Sequence, residues 1–187
     1  MSGRIVQVSV SPGGVPKRAV AEARVGWLGL EGDAHRNEEH HGGPDRAVCL
    51  FAMGQIEALA AEGHPVVPGA LGENVTVAAL DWALVVPGAR LRLGPDVRLE
   101  VTRYTTPCFN IRAAFRGGEY ARVSQKRHPG WSRVYARVIE EGLIRPGDEV
   151  MIIRAGAPTW PPRPQTLGTV PAAPGPSSTP PATGAAR

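Results

Sequence analysis

Glycine and proline divide the sequence into short segments, and this division constrains the fold more than any other feature. The chain of 187 residues contains 23 Gly and 19 Pro. Between them lie runs in which apolar residues alternate with polar ones or follow one another, as in half-buried and fully buried strands. Many short strands separated by turns predict a β-barrel or a β-sandwich. The runs lie at residues 5–10, 19–25, 46–53, 74–77, 90–93, 97–103, 134–138 and 149–153.

Helical signals are few in comparison. Residues 53–62 carry apolar side chains at helical spacing and end before Gly63, which predicts one short helix with a C-terminal glycine. Residues 111–115 and 120–123 fit either a helix or a strand. We therefore expect a mostly β fold with a few short helices.

The composition changes abruptly after Arg154. Residues 155–187 contain nine Pro and four Gly, and their only charges are Arg163 and Arg187. Such a segment cannot bury enough apolar surface to offset the entropy of ordering it. We predict a folded domain over residues 1–154 and a disordered tail over residues 155–187.

Charge and cysteine content exclude several classes of protein. The chain has 21 Lys and Arg against 17 Asp and Glu, and its basic residues are scattered. This pattern favours a small anionic ligand over nucleic acid. Two cysteines do not make a disulfide framework, and the N-terminal residues do not fit a signal peptide. No apolar run approaches the roughly 18 residues of a membrane span, so we expect a cytoplasmic protein without membrane association.

Cys108 is the first candidate for chemistry. The preceding strand must end near Pro107, so the cysteine should lie on a sharp exit from the sheet, near Arg103 and Thr106. A nearby cation favours the thiolate, which is the form that attacks electrophiles and binds metals. A buried structural cysteine is the alternative reading, and Cys49, which has apolar neighbours, fits that role.

A polar loop before the strand at residues 46–53 is the second candidate site. Its glycines would let an anion approach backbone N–H groups, while Arg46 and Lys17 would add positive charge. Imidazole and carboxylate groups could instead bind a divalent metal such as Zn or Fe, or the loop could have no ligand. The loop contains Asp33, His35, His40, His41, Gly42, Gly43 and Asp45.

A Gly-Glu-Asn corner at residues 72–74 introduces the next strand. Glu73 and Asn74 could point a side chain into a pocket from this corner. Both residue types are also common in turns for purely local reasons.

These motifs together resemble one known family, the MOSC domain, which is named for the C-terminal domain of molybdenum-cofactor sulfurase. The resemblance covers residues 4–153, and the motifs follow the family's order. It implies a mostly β, barrel-like fold. The matching segments are HGGPDRAV at 41–48, GEN at 72–74, PC at 107–108, YARV at 135–138 and RPGD at 145–148.

The resemblance also implies a function. Cys108 corresponds to the family's invariant cysteine, and members either carry sulfur as a cysteine persulfide or bind the molybdenum cofactor to reduce N-hydroxylated compounds. We therefore expect a sulfurtransferase or a molybdenum-cofactor-dependent enzyme, with Cys108 as catalytic residue or molybdenum ligand. Asp33, His35 and His41 are further candidate metal ligands. The residues predicted around the cofactor are Lys17, His41, Gly42, Gly43, Asp45, Arg46, Glu73, Asn74, Arg103 and Thr106.

The chain also departs from some relatives. It lacks the pyridoxal-phosphate lysine motif of an aminotransferase-like half, and it lacks a recognisable flavin, NAD or iron–sulfur module. The expected activity therefore needs a partner, either a cysteine desulfurase or a redox protein. Two alternatives stay open. One is a metal- or cysteine-dependent hydrolase or C–S lyase that uses Asp33, His35 and His41, and the other is a non-catalytic module that presents cofactor or sulfur.

Overall fold

The expected mostly β fold is confirmed by a computed structural model that describes residues 2–34 and 43–156. Within these ranges the chain forms eleven strands, the helix α1 (Met53–Ala61) and five short 3-10 segments. The strands are β1 (Ser2–Val10), β2 (Arg18–Val20), β3 (Ala23–Gly26), β4 (Gly29–Leu30), β5 (Val48–Ala52), β6 (Val75–Ala78), β7 (Arg90–Leu93), β8 (Val97–Tyr104), β9 (Val134–Glu140), β10 (Gly142–Ile144) and β11 (Glu149–Arg154).

Seven of these strands close into a barrel. They follow the order β11-β7-β8-β9-β5-β6-β1, and β1 pairs again with β11 where Ser2 lies opposite Met151. Neighbours are antiparallel except β5 and β6, which run parallel because the connection through α1 returns the chain to the same end. The second half of β1 also pairs with β2 in antiparallel orientation, and Val8 lies opposite Val20.

The alternation seen in the sequence fills the barrel interior. Val97, Leu99 and Val101 of β8 are all buried, and the intervening residues are partly exposed. All five residues of β5 are buried, and α1, which adds Ile56 and Leu59 to the core, packs beside β5 and β6. A strand covered on both faces carries a continuous apolar run, as residues 48–52 do.

Residues 19–25, which were predicted to form one strand, form parts of two strands. The run divides into β2, which extends the barrel sheet, and β3, which pairs with β4 and β10 in a separate three-stranded sheet. The break comes at Ala21 and Glu22, which are exposed. Residue alternation alone cannot reveal this break, because both halves keep period-two patterning.

The remaining predictions concern the helix, the ambiguous segments and the tail. α1 confirms the predicted helix, and the ambiguous segments form 3-10 turns at Phe109–Ala114 and Tyr120–Val123. The predicted tail lies outside the described residues from 157 onward. In the part of the chain that the structure describes, no helix combines the length and apolar character needed to cross a membrane.

Gly69, in the loop between α1 and β6, allows this loop to approach the segment after β1. Its φ is +84°, its carbonyl accepts a hydrogen bond from the Lys17 amide at 2.9 Å, and a Cβ here would collide with the Lys17 carbonyl oxygen. Gly69→Ala should lower the free energy of unfolding by about 3 kcal/mol or more, because backbone strain and a steric clash act together.

Gly147→Ala is the matched control. Gly147 has φ +95°, but no heavy atom lies within 4 Å of the position that an added methyl group would take, so only strain of about 1 kcal/mol is expected. Urea denaturation of both variants measures the difference. Equal losses of stability would contradict the proposed close approach at Gly69.

Candidate functional site

A cavity of about 350 Å³ opens at one end of the barrel, where β1 and β8 end and β5, β6 and β9 begin. Residues from six separate segments meet there, and five of these segments adjoin strand ends that barrel closure places side by side. The lining residues are Gly13, Gly14, Val15, Lys17, Ala34, Cys49, Leu71, Gly72, Asn74, Thr106, Cys108, Asn110, Ile111, Arg133 and Tyr135.

Cys108 lines this cavity as a half-buried free thiol. It follows the end of β8 and lies immediately before the 3-10 segment Phe109–Ala114, with its backbone extended. Its carbonyl accepts a hydrogen bond from the Ile111 amide at 3.2 Å, which anchors the turn. The thiol therefore lies on a sharp exit from the sheet, and a small molecule in the cavity can reach it.

Cys49 lines the same cavity in a more deeply buried position. It belongs to β5, directly opposite Tyr135 of β9, and is only 3% exposed. Burial raises the pKa of its thiol to about 11, because the effect of burial is larger than the opposite effect of the nearby Arg133 charge, which lowers the pKa. Cys49 therefore stays protonated at neutral pH and forms part of the wall, in line with its assignment to the core.

Asp33 joins three parts of the cavity wall. Its carboxylate pairs with the Lys17 ammonium, and it accepts hydrogen bonds from the Ser11 amide and the Asn74 side-chain amide, both at 2.8 Å. Asn74 in turn accepts a hydrogen bond from the Cys49 backbone N–H at 3.0 Å. This network ties the segment after β1 to β5 and β6, and Asp33 balances the charge of Lys17.

Arg133 brings a second cation to the wall, and its charge is not balanced in the same way. Its side chain donates to the Leu71 carbonyl, but Nε has no hydrogen-bond partner among the described residues and the residue is 6% exposed. Buried charges are normally paired, since leaving water without a partner costs several kcal/mol. The cavity therefore favours a ligand that brings negative charge to Arg133.

Glu73 is not bonded to Arg133 among the described residues. It is fully buried outside the cavity lining, where Oε1 accepts hydrogen bonds from the Gly69 amide at 2.7 Å and the Thr76 hydroxyl at 3.4 Å. Burial raises the pKa of its carboxyl, outweighing the backbone N–H groups and the Arg133 charge that lower it. The described hydrogen bonds of Glu73 go to Gly69 and Thr76, and none goes to Arg133.

Comparison with known proteins identifies the family. A family profile described as the MOSC domain matches residues 37–151, more than half of the chain. The chain belongs to the MOSC family. The sequence resemblance is thereby confirmed, and the barrel is a MOSC fold.

Individual relatives agree with this assignment. The MOSC chain is 33% identical over 131 residues to the uncharacterized protein YflK of Bacillus subtilis, covering 68% of this chain and 57% of YflK. It is 31% identical over 137 residues to a protein named Reductase from Gibberella moniliformis, covering 71% of this chain but 24% of that protein. It therefore spans only part of these relatives.

A solved structure supports the fold. YiiM from Geobacillus stearothermophilus has a TM-score of 0.63 and 24% sequence identity, covering 81% of this chain and 75% of that one.

The MOSC cavity gathers some of the sequence-predicted residues and not others. Lys17, Asn74, Thr106 and Cys108 line it, and Asp33 lies directly behind Lys17. Among residues 2–34 and 43–156, no three His, Cys, Asp or Glu side chains are grouped to hold a metal ion. The proposed ligands His35 and His41, together with Gly42, lie outside the described residues.

Four other predicted residues lie away from the lining. Gly43 and Asp45 are exposed, and Asp45 pairs with Arg137 at 3.4 Å. Arg46 is half-buried, close enough for its charge to act on Tyr135. Arg103, expected beside Cys108, is exposed, because the strand register shifts between Val101 and Arg103 and interrupts the alternation of β8. The cations that line the cavity with Cys108 are Lys17 and Arg133 instead.

The sequence pattern did not single out Arg133, Tyr135 or the Gly13-Gly14 turn. A buried arginine has no local signature, because its sequence neighbours resemble those of an exposed one. Tyr135 lies in the YARV motif, which pointed to a strand and not to a site. Burial raises the pKa of Tyr135 to about 12, so its hydroxyl remains a hydrogen-bond donor at neutral pH.

The two cysteines should differ sharply in reactivity. At about pH 8, iodoacetamide should alkylate Cys108, while Cys49, with a pKa of about 11 and little exposure, is ionised in roughly one molecule per thousand. Peptide mass spectrometry of the folded protein measures both sites. Alkylation in urea, where both should react, is the control, and rapid labelling of Cys49 in the folded chain would contradict its placement.

The Lys17–Asp33 pair should be strongly coupled. Lys17→Met or Asp33→Asn alone should cost about 3 kcal/mol of unfolding free energy, because each leaves a buried partner uncompensated. The double variant should lose less than the sum of the two. Breaking the exposed Arg145–Glu22 pair with Arg145→Met should cost under about 1 kcal/mol. Urea denaturation checks all four, and additive losses at Lys17 and Asp33 would contradict the coupling.

Proposed function

We propose that this MOSC chain binds the molybdenum cofactor in the barrel-end cavity, with Cys108 as the protein ligand to molybdenum. The observation that carries the proposal is a reachable free thiol that shares its cavity with a buried guanidinium lacking a carboxylate partner. The cofactor combines a soft metal with an anionic pterin phosphate. Thiolate suits the first and arginine the second.

The residues present fit this group. Arg133 Nε is an unpartnered buried donor among the described residues, as expected of a site that a phosphate completes. Gly72 keeps the wall next to Arg133 free of a side chain, since a Cβ there would contact both Val15 and Arg133. Lys17 is already held by Asp33, so Arg133 is the residue that would receive the phosphate.

The chain's own residues would each have a defined task. Cys108 would hold the molybdenum, and Arg133 would bind and orient the phosphate. When bound, the cofactor would supply two-electron reduction chemistry, for which N-hydroxylated compounds are candidate substrates and a redox partner the electron source. A relative named Reductase supports this direction.

A second candidate function is sulfur carriage on the same cysteine. Its support is the half-buried position of Cys108, which would leave the sulfur open to a donor and then to an acceptor. A persulfide needs a thiolate that can attack and later leave. Both candidate functions use the same cavity, and occupancy by the cofactor would exclude sulfur carriage.

Metal analysis tests the cofactor proposal. Protein produced in cells that make the cofactor should contain molybdenum and a fluorescent pterin after purification. Cys108→Ser should reduce the molybdenum content by about tenfold or more, because the soft ligand is lost. Arg133→Gln should reduce the pterin content.

Cys49→Ala is the matched control. Cys49 lines the cavity as a protonated thiol, so molybdenum binding should not require it. Circular dichroism confirms that each variant is folded. Molybdenum content that is equal in Cys108→Ser and the parent protein, or absent from both, would reject the proposal.

A further inference from the structure

We propose that the cofactor-free cavity takes a small anionic sulfur donor of the thiosulfate class, whose outer sulfur is transferred to Cys108. This inference rests on the sulfur-carrier candidate and specifies its donor. The juxtaposition that points to it is Cys108 and Arg133 on the wall of one small cavity.

The charge arrangement selects an anion. Lys17 is neutralised by Asp33, whereas Arg133 has no ion pair within the described chain. Glu73 makes no hydrogen bond to Arg133 among the described residues, since its Oε1 is bound to Gly69 and Thr76 and its Oε2 has no partner there. A ligand that brings its own negative charge therefore gains a charge-assisted hydrogen bond that the protein itself leaves unmade.

Because Arg133 is deeply buried, the site favours a small-molecule sulfur donor over a protein donor. Arg133 is 6% exposed, and the cavity of about 350 Å³ is at the small end of ligand-pocket sizes. The persulfide of a partner protein would reach the half-buried Cys108 without placing charge against Arg133. A free dianion can contact both residues at once.

The transfer step balances without any further reagent. The Cys108 thiolate attacks the outer sulfur of thiosulfate, a new S–S bond forms at Cys108, and the old S–S bond breaks. Its electron pair leaves with sulfite. Three negative charges enter, one on the thiolate and two on thiosulfate, and three leave, one on the persulfide and two on sulfite. Arg133 stabilises the sulfite dianion as it departs.

Regeneration needs only an acceptor thiolate or cyanide. The acceptor attacks the outer sulfur of the persulfide, takes that sulfur and returns the Cys108 thiolate. Cys49 cannot replace Cys108 in either step, because it is 3% exposed and its thiol has a pKa of about 11.

Mass spectrometry of the cofactor-free chain of 187 residues tests the inference. Incubation with thiosulfate should add one sulfur atom at Cys108, release sulfite and yield thiocyanate when cyanide is added. Cys108→Ser should show none of these. Arg133→Gln should lower the rate of sulfur addition by about tenfold or more, because a charge-assisted contact is lost.

A neutral probe separates this role of Arg133 from a structural one. Iodoacetamide carries no charge, so its rate at Cys108 should stay within about twofold in Arg133→Gln. Arg145→Gln, an exposed change at a residue paired with Glu22, should leave both rates unchanged. If Arg133→Gln does not fold, Arg133→Met replaces it with the same expectations, and competition by sulfate at constant ionic strength gives a second readout in the parent protein.

Three results would overturn the inference. They are failure of thiosulfate to add sulfur, equal thiosulfate rates in folded Arg133→Gln and the parent, and a parallel fall of both the thiosulfate and iodoacetamide rates. Sulfur delivery to Cys108 by a cysteine desulfurase, with none from thiosulfate, would reject the small donor and retain the carrier. Molybdenum content is measured separately, so failure of the cofactor proposal is distinguishable from failure of this one.

Discussion

Closure of the barrel by pairing β1 with β11 is the constraint on which the rest of the structure depends. The pairing joins the first described strand to the last, so contacts distant in sequence must form before the interior is sealed. It leaves no unpaired edge in the seven-stranded ring. It also sets the strand ends at one rim, where loops that share no local sequence pattern come together around a single cavity.

The cavity wall treats its two buried cations differently, and this difference gives the site its chemical character. Lys17 is paired with Asp33 and linked through Asn74 to the backbone of Cys49, so its charge serves the structure. Arg133 has a backbone carbonyl as its only described acceptor. A buried charge without a counter-ion lowers the stability of the ligand-free protein. An anion that pairs with this charge removes the penalty, and the free energy gained contributes to the affinity for the anion.

The sequence predicted the parts of the fold that follow local rules. Alternation gave β7, β8 and β9, a continuous apolar run gave β5, and a terminal glycine marked the end of α1. The same rules placed Cys108 after a strand end. They could not locate the register shift that turns Arg103 outward or the burial of Arg133, because both depend on partners far along the chain. Local patterns thus identified the thiol and Lys17, and they missed Arg133, the second cation of the same cavity.

Cofactor binding and sulfur carriage place the same demands on this cavity, which explains how one arrangement supports both proposals. Each needs a thiol that is reachable on one side and a cation that is buried on the other. Cys108 meets the first demand because it follows a strand end, where side chains are no longer confined by the barrel. Arg133 meets the second because it immediately precedes β9 and is covered by the loop at Leu71. Since a ligand that satisfies Arg133 also fills the approach to Cys108, only one occupant can use the site at a time, and the relative concentrations and affinities of the two ligands would decide which chemistry the chain performs.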